Sequence, residues 1–156
     1  MRHRSSAGSE TRIQYGALPY RFTAAGEVEF LLVTSRRSRR WIIPKGWPVK
    51  GLGPAKSAAR EAFEEAGVLG KIGRQALGSF QYLKQLNDND EDSVLCQVHV
   101  FPLRVKRELV VWPEAQEREL RWLCTADAAM IVDDDGLKHL IGNAAGQMKS
   151  FRAQRA

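Results

Sequence analysis

The chain has 156 residues, 44% of them hydrophobic and 27% charged, with a formal net charge of +6. That length predicts one domain, with enough chain to bury a core unaided. Apolar runs are short, as in Phe30-Leu31-Leu32-Val33, against the roughly twenty residues a bilayer span needs, so a membrane-spanning protein is excluded. In chain order, residues 1–12 are polar and aperiodic and read as a loosely held or disordered tail; a single domain is expected over 13–148 and a basic tail over 149–156. Gln14–Thr23 and Val28–Ser35 read as strands joined by a turn at Ala24–Glu27. Trp41-Ile42-Ile43 is a short strand ended by Pro44, and Lys45–Gly53 is a glycine-rich loop. Pro54 suits the first turn of a helix running to Ala66, with Gly67 as its stop. Ala55, Ala58, Ala59, Ala62, Phe63 and Ala66 form its apolar stripe, leaving Ser57, Arg60, Glu61, Glu64 and Glu65 largely off it. Further strands are expected at Gly73–Gln85 and Ser93–Val105, an edge segment at Leu109–Trp112 and a strand at Arg118–Cys124. A short helix to Ile131 and a last one from Gly136 to about Met148 complete the pattern, which fits an α+β domain around a mixed sheet.

Glu61, Glu64 and Glu65 stand at i, i+3 and i+4 and therefore share one face of the predicted helix. Like charges so placed repel, and a divalent cation offsets that repulsion; hard cations such as Mg²⁺ take oxygen ligands and bind phosphate oxygens beside them. The stretch from Phe30 to Arg60 contains no Asp or Glu but holds Arg36, Arg37, Arg39, Arg40, Lys45, Lys50, Lys56 and Arg60. An acid-free basic stretch leading into a carboxylate cluster suits an anionic ligand carrying its own metal. Read alone, the same residues also describe a solvated basic loop and an exposed helix face tied by an Arg60–Glu64 ion pair.

Residues 46–68, with the core Arg60-Glu61-Ala62-Phe63-Glu64-Glu65-Ala66-Gly67-Val68, resemble the Nudix box, a glycine-led loop and helix of the form G-x5-E-x7-R-E-U-x-E-E-x-G-U. Gly46, Arg60, Glu61, Glu64, Glu65, Gly67 and Val68 fall on the pattern; Leu52 stands where it has its first Glu. The resemblance implies an α/β/α sandwich and a Mg²⁺-dependent hydrolase (Mn²⁺ being the alternative metal) acting on a diphosphate linkage. The run Ser38–Pro48 looks like that of members acting on diphosphoinositol polyphosphates and dinucleoside polyphosphates. Glu61 and Glu65 are the expected metal ligands, with the main-chain carbonyl of Lys45 implied by the family. Glu64 is read as the proton acceptor or as a ligand of a second metal, with Glu61 also a catalytic candidate. Arg60 and Gly67 are structural support. Arg36, Arg37, Arg39, Arg40, Lys45 and Lys50 are the phosphate-binding candidates; Gly46 allows close approach, and Trp47 stacks on a base or simply packs.

In the family it resembles some members bring a late acid to the metal site, so one of Glu114, Glu117 and Glu119 is a candidate to supply the carboxylate that Leu52 lacks. Asp88, Asp90 and Asp92 alternate like the start of a calcium loop, but Ser93 stands where that loop needs glycine, so a polar hairpin connection is expected. Cys96 and Cys124 read as buried free thiols, in keeping with a reducing cytoplasm. The expected partner is a small-molecule polyphosphate. The rival reading is a non-catalytic phosphate- or RNA-binding module on the same fold, for which Leu52 is the support.

Overall fold

The computed structural model describes residues 10–86 and 92–155. Among the described residues eight strands and three helices follow in the order β1 (Thr11–Phe22), β2 (Val28–Thr34), β3 (Trp41–Ile42), β4 (Lys45–Gly46), α1 (Pro54–Ala66), β5 (Val68–Ile72), β6 (Gly78–Gln85), β7 (Ser93–Glu108), β8 (Leu120–Cys124), α2 (Thr125–Ile131) and α3 (Asp135–Arg155). They form one mixed sheet with the path β3-β2-β1-β7-β5, in which β4 joins β1, β6 joins β7 and β8 joins β2. Only the β1–β7 pair is parallel among these.

Period-two alternation on central strands covered on both faces explains the sandwich. Leu18, Phe30, Leu32, Val98 and Val100 face one side, where Ala128, Leu137, Ile141, Ala144 and Met148 of α2 and α3 close over them. Ala17, Leu31, Val33, Phe101 and Leu103 face the other, where α1 lays down Ala58, Ala62 and Ala66. Spaced four apart and without bulk, those alanines let the helix seat close to the sheet. Burying each of the large aliphatic or aromatic side chains contributes about 1.5–3 kcal/mol.

Two expectations hold at the ends of α1. Pro54 occupies its first turn, and Gly67 terminates it with φ 66°, donating its N–H to the Phe63 carbonyl at 3.1 Å. The left-handed conformation favours glycine there. The stripe is wider than expected: Ser57 and Glu65 are buried. Ser57 accepts from the Val49 N–H at 3.1 Å, which ties the preceding loop to the helix.

Elsewhere the boundaries move. Residues 68–72 form β5, an element absent from the sequence reading, and β6 begins at Gly78 rather than Gly73. Leu109–Trp112 is a bend, not an edge strand; Val110 and Val111 point to solvent while the Leu109 N–H bonds Gly67 O at 2.8 Å. Helix α3 continues through Arg155, where a basic tail was expected from 149. Lys149 pairs with Glu27 at 3.1 Å and Arg152 lies over the Phe22 ring, so the basic residues anchor the helix against the β1–β2 turn. Cys96 is buried as expected, but Cys124, the last residue of β8, is exposed; both are free. Asp88 and Asp90 lie outside the described residues; Leu86 N–H donates to Asp92 O at 2.7 Å across that connection. Among the described residues no helix is long and apolar enough to cross a membrane.

Candidate active site

The sheet makes an opening for the site by letting β1 change partners. Its C-terminal part, Tyr20–Phe22, pairs with β2, whereas Tyr15 and Gly16 pair with Gly46 and Lys45 of β4. The two-residue β4 therefore brings the head of the box loop against α1. A Cβ on Gly46 would lie within 2.5 Å of the Glu61 carboxyl group, so only glycine allows this main chain so close to that carboxylate. A cleft of about 1240 Å³ opens here, with Glu61, Glu65, Lys45, Gly46 and Trp47 in one wall and Tyr82, Lys84 and Asp133–Asp135 in another.

The two carboxylates expected to hold metal are in the cleft, one turn apart, and Glu65 is 5% exposed. Burial, and then a hydrogen bond shared with Glu61, pushes the Glu65 carboxyl up to about 9; the Arg118 guanidinium pulls the other way. Glu61 is also raised, chiefly by burial. Lys45 is lowered to about 8 by burial, opposed by the Glu65 charge, and its ammonium sits 4.5 Å from the centre of the Tyr82 ring. Burial thus disfavours charge on both carboxyl groups in this corner. Glu65 Oε1 is buried and has no hydrogen-bond partner among the described residues.

Those features fit an oxygen-seeking divalent cation: hard donors only, a main chain close against them, and an orphaned buried carboxylate oxygen. Among the described residues no three His, Cys, Asp or Glu side chains are already gathered as a metal cage. The protein offers a pair of carboxylates, with the rest of a coordination shell left to backbone, solvent or ligand oxygens.

Other candidates are sorted by position. Glu64 is outside the cleft wall, its carboxylate held by Arg60 Nε at 2.9 Å. The Arg60–Glu64 pair was expected, and it holds Glu64 beside the cleft while Glu61 stands in its wall. Arg36, Arg37 and Arg40 line the cleft, whereas Arg39 and Lys50 do not. Arg39 is turned outward onto Glu119 at 3.0 Å and the Glu117 carbonyl at 3.0 Å, and Arg36 reaches Glu117 at 3.0 Å. Trp47 is 39% exposed at the rim, free for a stacking contact. Trp41 also lines the cleft, with Arg121 over its ring.

Of the three late acids, Glu117 and Glu119 are spent on those arginines, and Glu114 enters the cleft. Leu52, at the position where the box pattern has its first Glu, lines a separate shallow depression with Arg74 and Phe101. Lys84, Tyr82 and Arg118 were missed. The signal for the first two was strand alternation: Phe80, Tyr82 and Lys84 share a face of β6, and the lysine continues an aromatic row into the cleft. Nothing local marks Arg118, one of many arginines.

Fold and site together define a mixed-sheet α/β/α domain with a carboxylate-bearing helix set against a glycine in a cation-lined cleft. The NUDIX domain model matches residues 13–141, and the chain belongs to the Nudix family. Nudix hydrolase 21, chloroplastic, of Arabidopsis thaliana is 29% identical over 130 residues, covering 81% of this chain and 62% of that protein. Diphosphoinositol polyphosphate phosphohydrolase 3-beta of Bos taurus is 36% identical over 114 residues, covering 71% and 64%. The chain thus spans less than two thirds of the length of either relative. The C. elegans Ap4A hydrolase binary complex has the same fold, with a TM-score of 0.62 at 22% identity over 92% of this chain and 99% of that one.

Proposed function

We propose that the chain is a Mg²⁺-dependent pyrophosphohydrolase that cleaves a diphosphate linkage in an anionic small molecule, a diphosphoinositol polyphosphate or a dinucleoside polyphosphate. The observation that carries this reading is the Glu61–Glu65 pair, with Glu65 buried and one of its oxygens unpartnered among the described residues, facing a cleft lined by Arg36, Arg37, Arg40, Lys45 and Lys84. Glu61, Glu65 and the Lys45 carbonyl are the groups that would hold the metal, with Glu114 close by. A bound divalent cation neutralises phosphate charge and acidifies water.

The chain's own residues do the rest. The cleft cations draw the polyphosphate in and hold its non-bridging oxygens, guanidinium forks suiting that geometry. A water oxygen attacks one phosphorus, the bond from that phosphorus to the bridging oxygen breaks, and the departing phosphate keeps the electron pair. The water proton passes to a carboxylate of the box helix, for which Glu64 and Glu61 are the candidates. Arg60 fixes Glu64 at the helix surface, and Trp47 offers a face to a base. A cytoplasmic setting belongs to the same reading, supported by the two free thiols.

A hydrolysis screen over nucleoside, dinucleoside and inositol pyrophosphates, with product identification, tests it. Cleavage that needs Mg²⁺ and is lost in Glu65→Gln is the expected result; binding without turnover across the panel would support the non-catalytic module instead. Trp47→Ala separates the substrates: it weakens dinucleotide cleavage and leaves inositol pyrophosphate cleavage unchanged.

A further inference from the structure

The last carbonyls of any helix lack partners within it. At the C-terminal end of α1 the connection between β7 and β8 supplies them. Leu109 N–H donates to Gly67 O at 2.8 Å, Glu114 N–H to Glu64 O at 3.0 Å, and Trp112 Nε1–H to Glu65 O at 3.1 Å. That docking delivers Arg118 to the cleft with only 7% of its side chain exposed. Its Nε donates to Glu114 Oε1 at 2.8 Å and its Nη1 to the Thr34 carbonyl at 2.9 Å, while Nη1 stands 3.7 Å from Glu65 Oε1. One guanidinium joins the end of β2, the late connection and the box helix. The last separation is too long for a hydrogen bond, so Glu65 keeps that oxygen's lone pairs free inside a positive field.

We propose that Arg118 is a positioning residue. It holds the carboxylates of Glu114 and Glu65 at a fixed separation, so that a divalent cation meets both without rearrangement, and it does not bind substrate. Two of its nitrogens are already committed and the side chain is buried, whereas Arg37, Arg40 and Lys84 present themselves to the cleft without such burial. Burying a guanidinium is costly unless its partners are fixed, and here each partner comes from a different element. The proposal rests on the reading of Glu65 as a metal ligand.

The test is binding of Mn²⁺ alone to the full chain, read from the electron paramagnetic resonance of free Mn²⁺, for the wild type, Arg118→Lys, Arg118→Met and Glu114→Gln. Diadenosine tetraphosphate hydrolysis is measured beside it across a Mg²⁺ series. Arg118→Lys is expected to weaken Mn²⁺ binding by about 10–100-fold, the size typical of groups that orient metal ligands. Its activity should return as Mg²⁺ is raised, with KM at saturating metal within about twofold of the wild type, since only metal capture is impaired. Arg118→Lys combined with Glu114→Gln should bind Mn²⁺ little worse than the weaker single variant, because the two act as one unit. Unchanged Mn²⁺ affinity in Arg118→Lys would overturn the proposal. So would a raised KM with intact metal binding, which makes Arg118 a substrate contact, or a loss that Mg²⁺ does not repair, which makes it a fold support. If Arg118→Met does not fold, Arg118→Lys and Glu114→Gln carry the test. A wild type that binds no Mn²⁺ would remove the functional reading itself and this proposal with it.

Discussion

The acidic end of α1 and the arginine turn at residues 35–40 face the same cleft, and they handle charge in opposite ways. At α1 the charge that matters is buried and fixed: Glu65 is 5% exposed, with Arg118 beside it. In the turn the charges are many, exposed and largely spent on one another's surroundings. Arg36 holds Glu117, Arg39 holds Glu119, and Arg40 Nε donates to Ser38 at 3.1 Å. An exposed ion pair contributes only about 0–1 kcal/mol, so a phosphate can compete Arg36 away from Glu117, whereas a buried carboxylate without its counter-charge is expensive to ionise. On the proposed function, the difference means that the buried end governs the chemical step and the exposed turn governs how well a ligand is captured.

The comparison breaks first at Glu65. Glu65→Gln should lower kcat on the order of 10²–10³-fold or more, the scale of losing a group that stabilises developing charge. The same substitution should leave the metal-free melting temperature unchanged or higher at pH 8, because a neutral amide replaces a carboxyl that folding desolvates. A large loss of stability would show that Glu65 supports the fold rather than the reaction. Next in size, Gly46→Ala forces Cβ into the Glu61 carboxyl and should cost about 100-fold in kcat, as expected for a displacement near 1 Å at reacting groups. Wild-type kcat in that variant would mean the loop and helix move independently.

The acid–base difference should also appear without substrate. Burial pushes the Glu65 carboxyl up to about 9, well above the usual carboxylate range, so the folded protein holds a proton that the unfolded chain has released. Stability of the metal-free protein therefore falls as pH rises from about 5 to 8. Above pH 8 Lys45, lowered to about 8, contributes with the opposite sign, which limits the clean window to that range. Denaturant midpoints at several pH values, with and without Mg²⁺, measure this slope; saturating metal should flatten it, and a flat metal-free profile would speak against a proton held on buried Glu65. The smallest effects belong to the turn. Arg40→Ala or Lys84→Ala should raise KM by about tenfold, the scale of one charged hydrogen bond, while Arg39→Ala and Lys50→Ala should change kcat/KM by less than about threefold, since neither faces the cleft. Equal effects at all four positions would erase the distinction between cleft and outward cations.

How much of this could be read in the chain follows the same division. Glu61 and Glu65 were legible because helical spacing converts sequence offset into spatial neighbourhood, and Gly46 and Gly67 because each stands where a Cβ would collide or strain the backbone. The sequence put Glu64 on the same broad face at i+3, and did not show that the late connection would cover one edge of that face and leave Arg60 the other. The turn arginines formed an obvious cluster, yet their partners, Glu117 and Glu119, lie about eighty residues away and become neighbours only through β2–β8 pairing. Arg118 was invisible for the same reason, since β8 returning beside β2 brings it in; Lys84 shared a strand face with Phe80 and Tyr82, but only β6 folding back on β7 shows where that face looks.

Calorimetric titration of Mg²⁺ into the metal-free protein at pH 7, repeated in two buffers of different ionisation enthalpy, tests the central claim most directly. The account predicts saturable binding with close to one proton released per cation in the wild type, and neither tight binding nor proton release in Glu65→Gln. Equal affinity and equal proton release in the two proteins would contradict it.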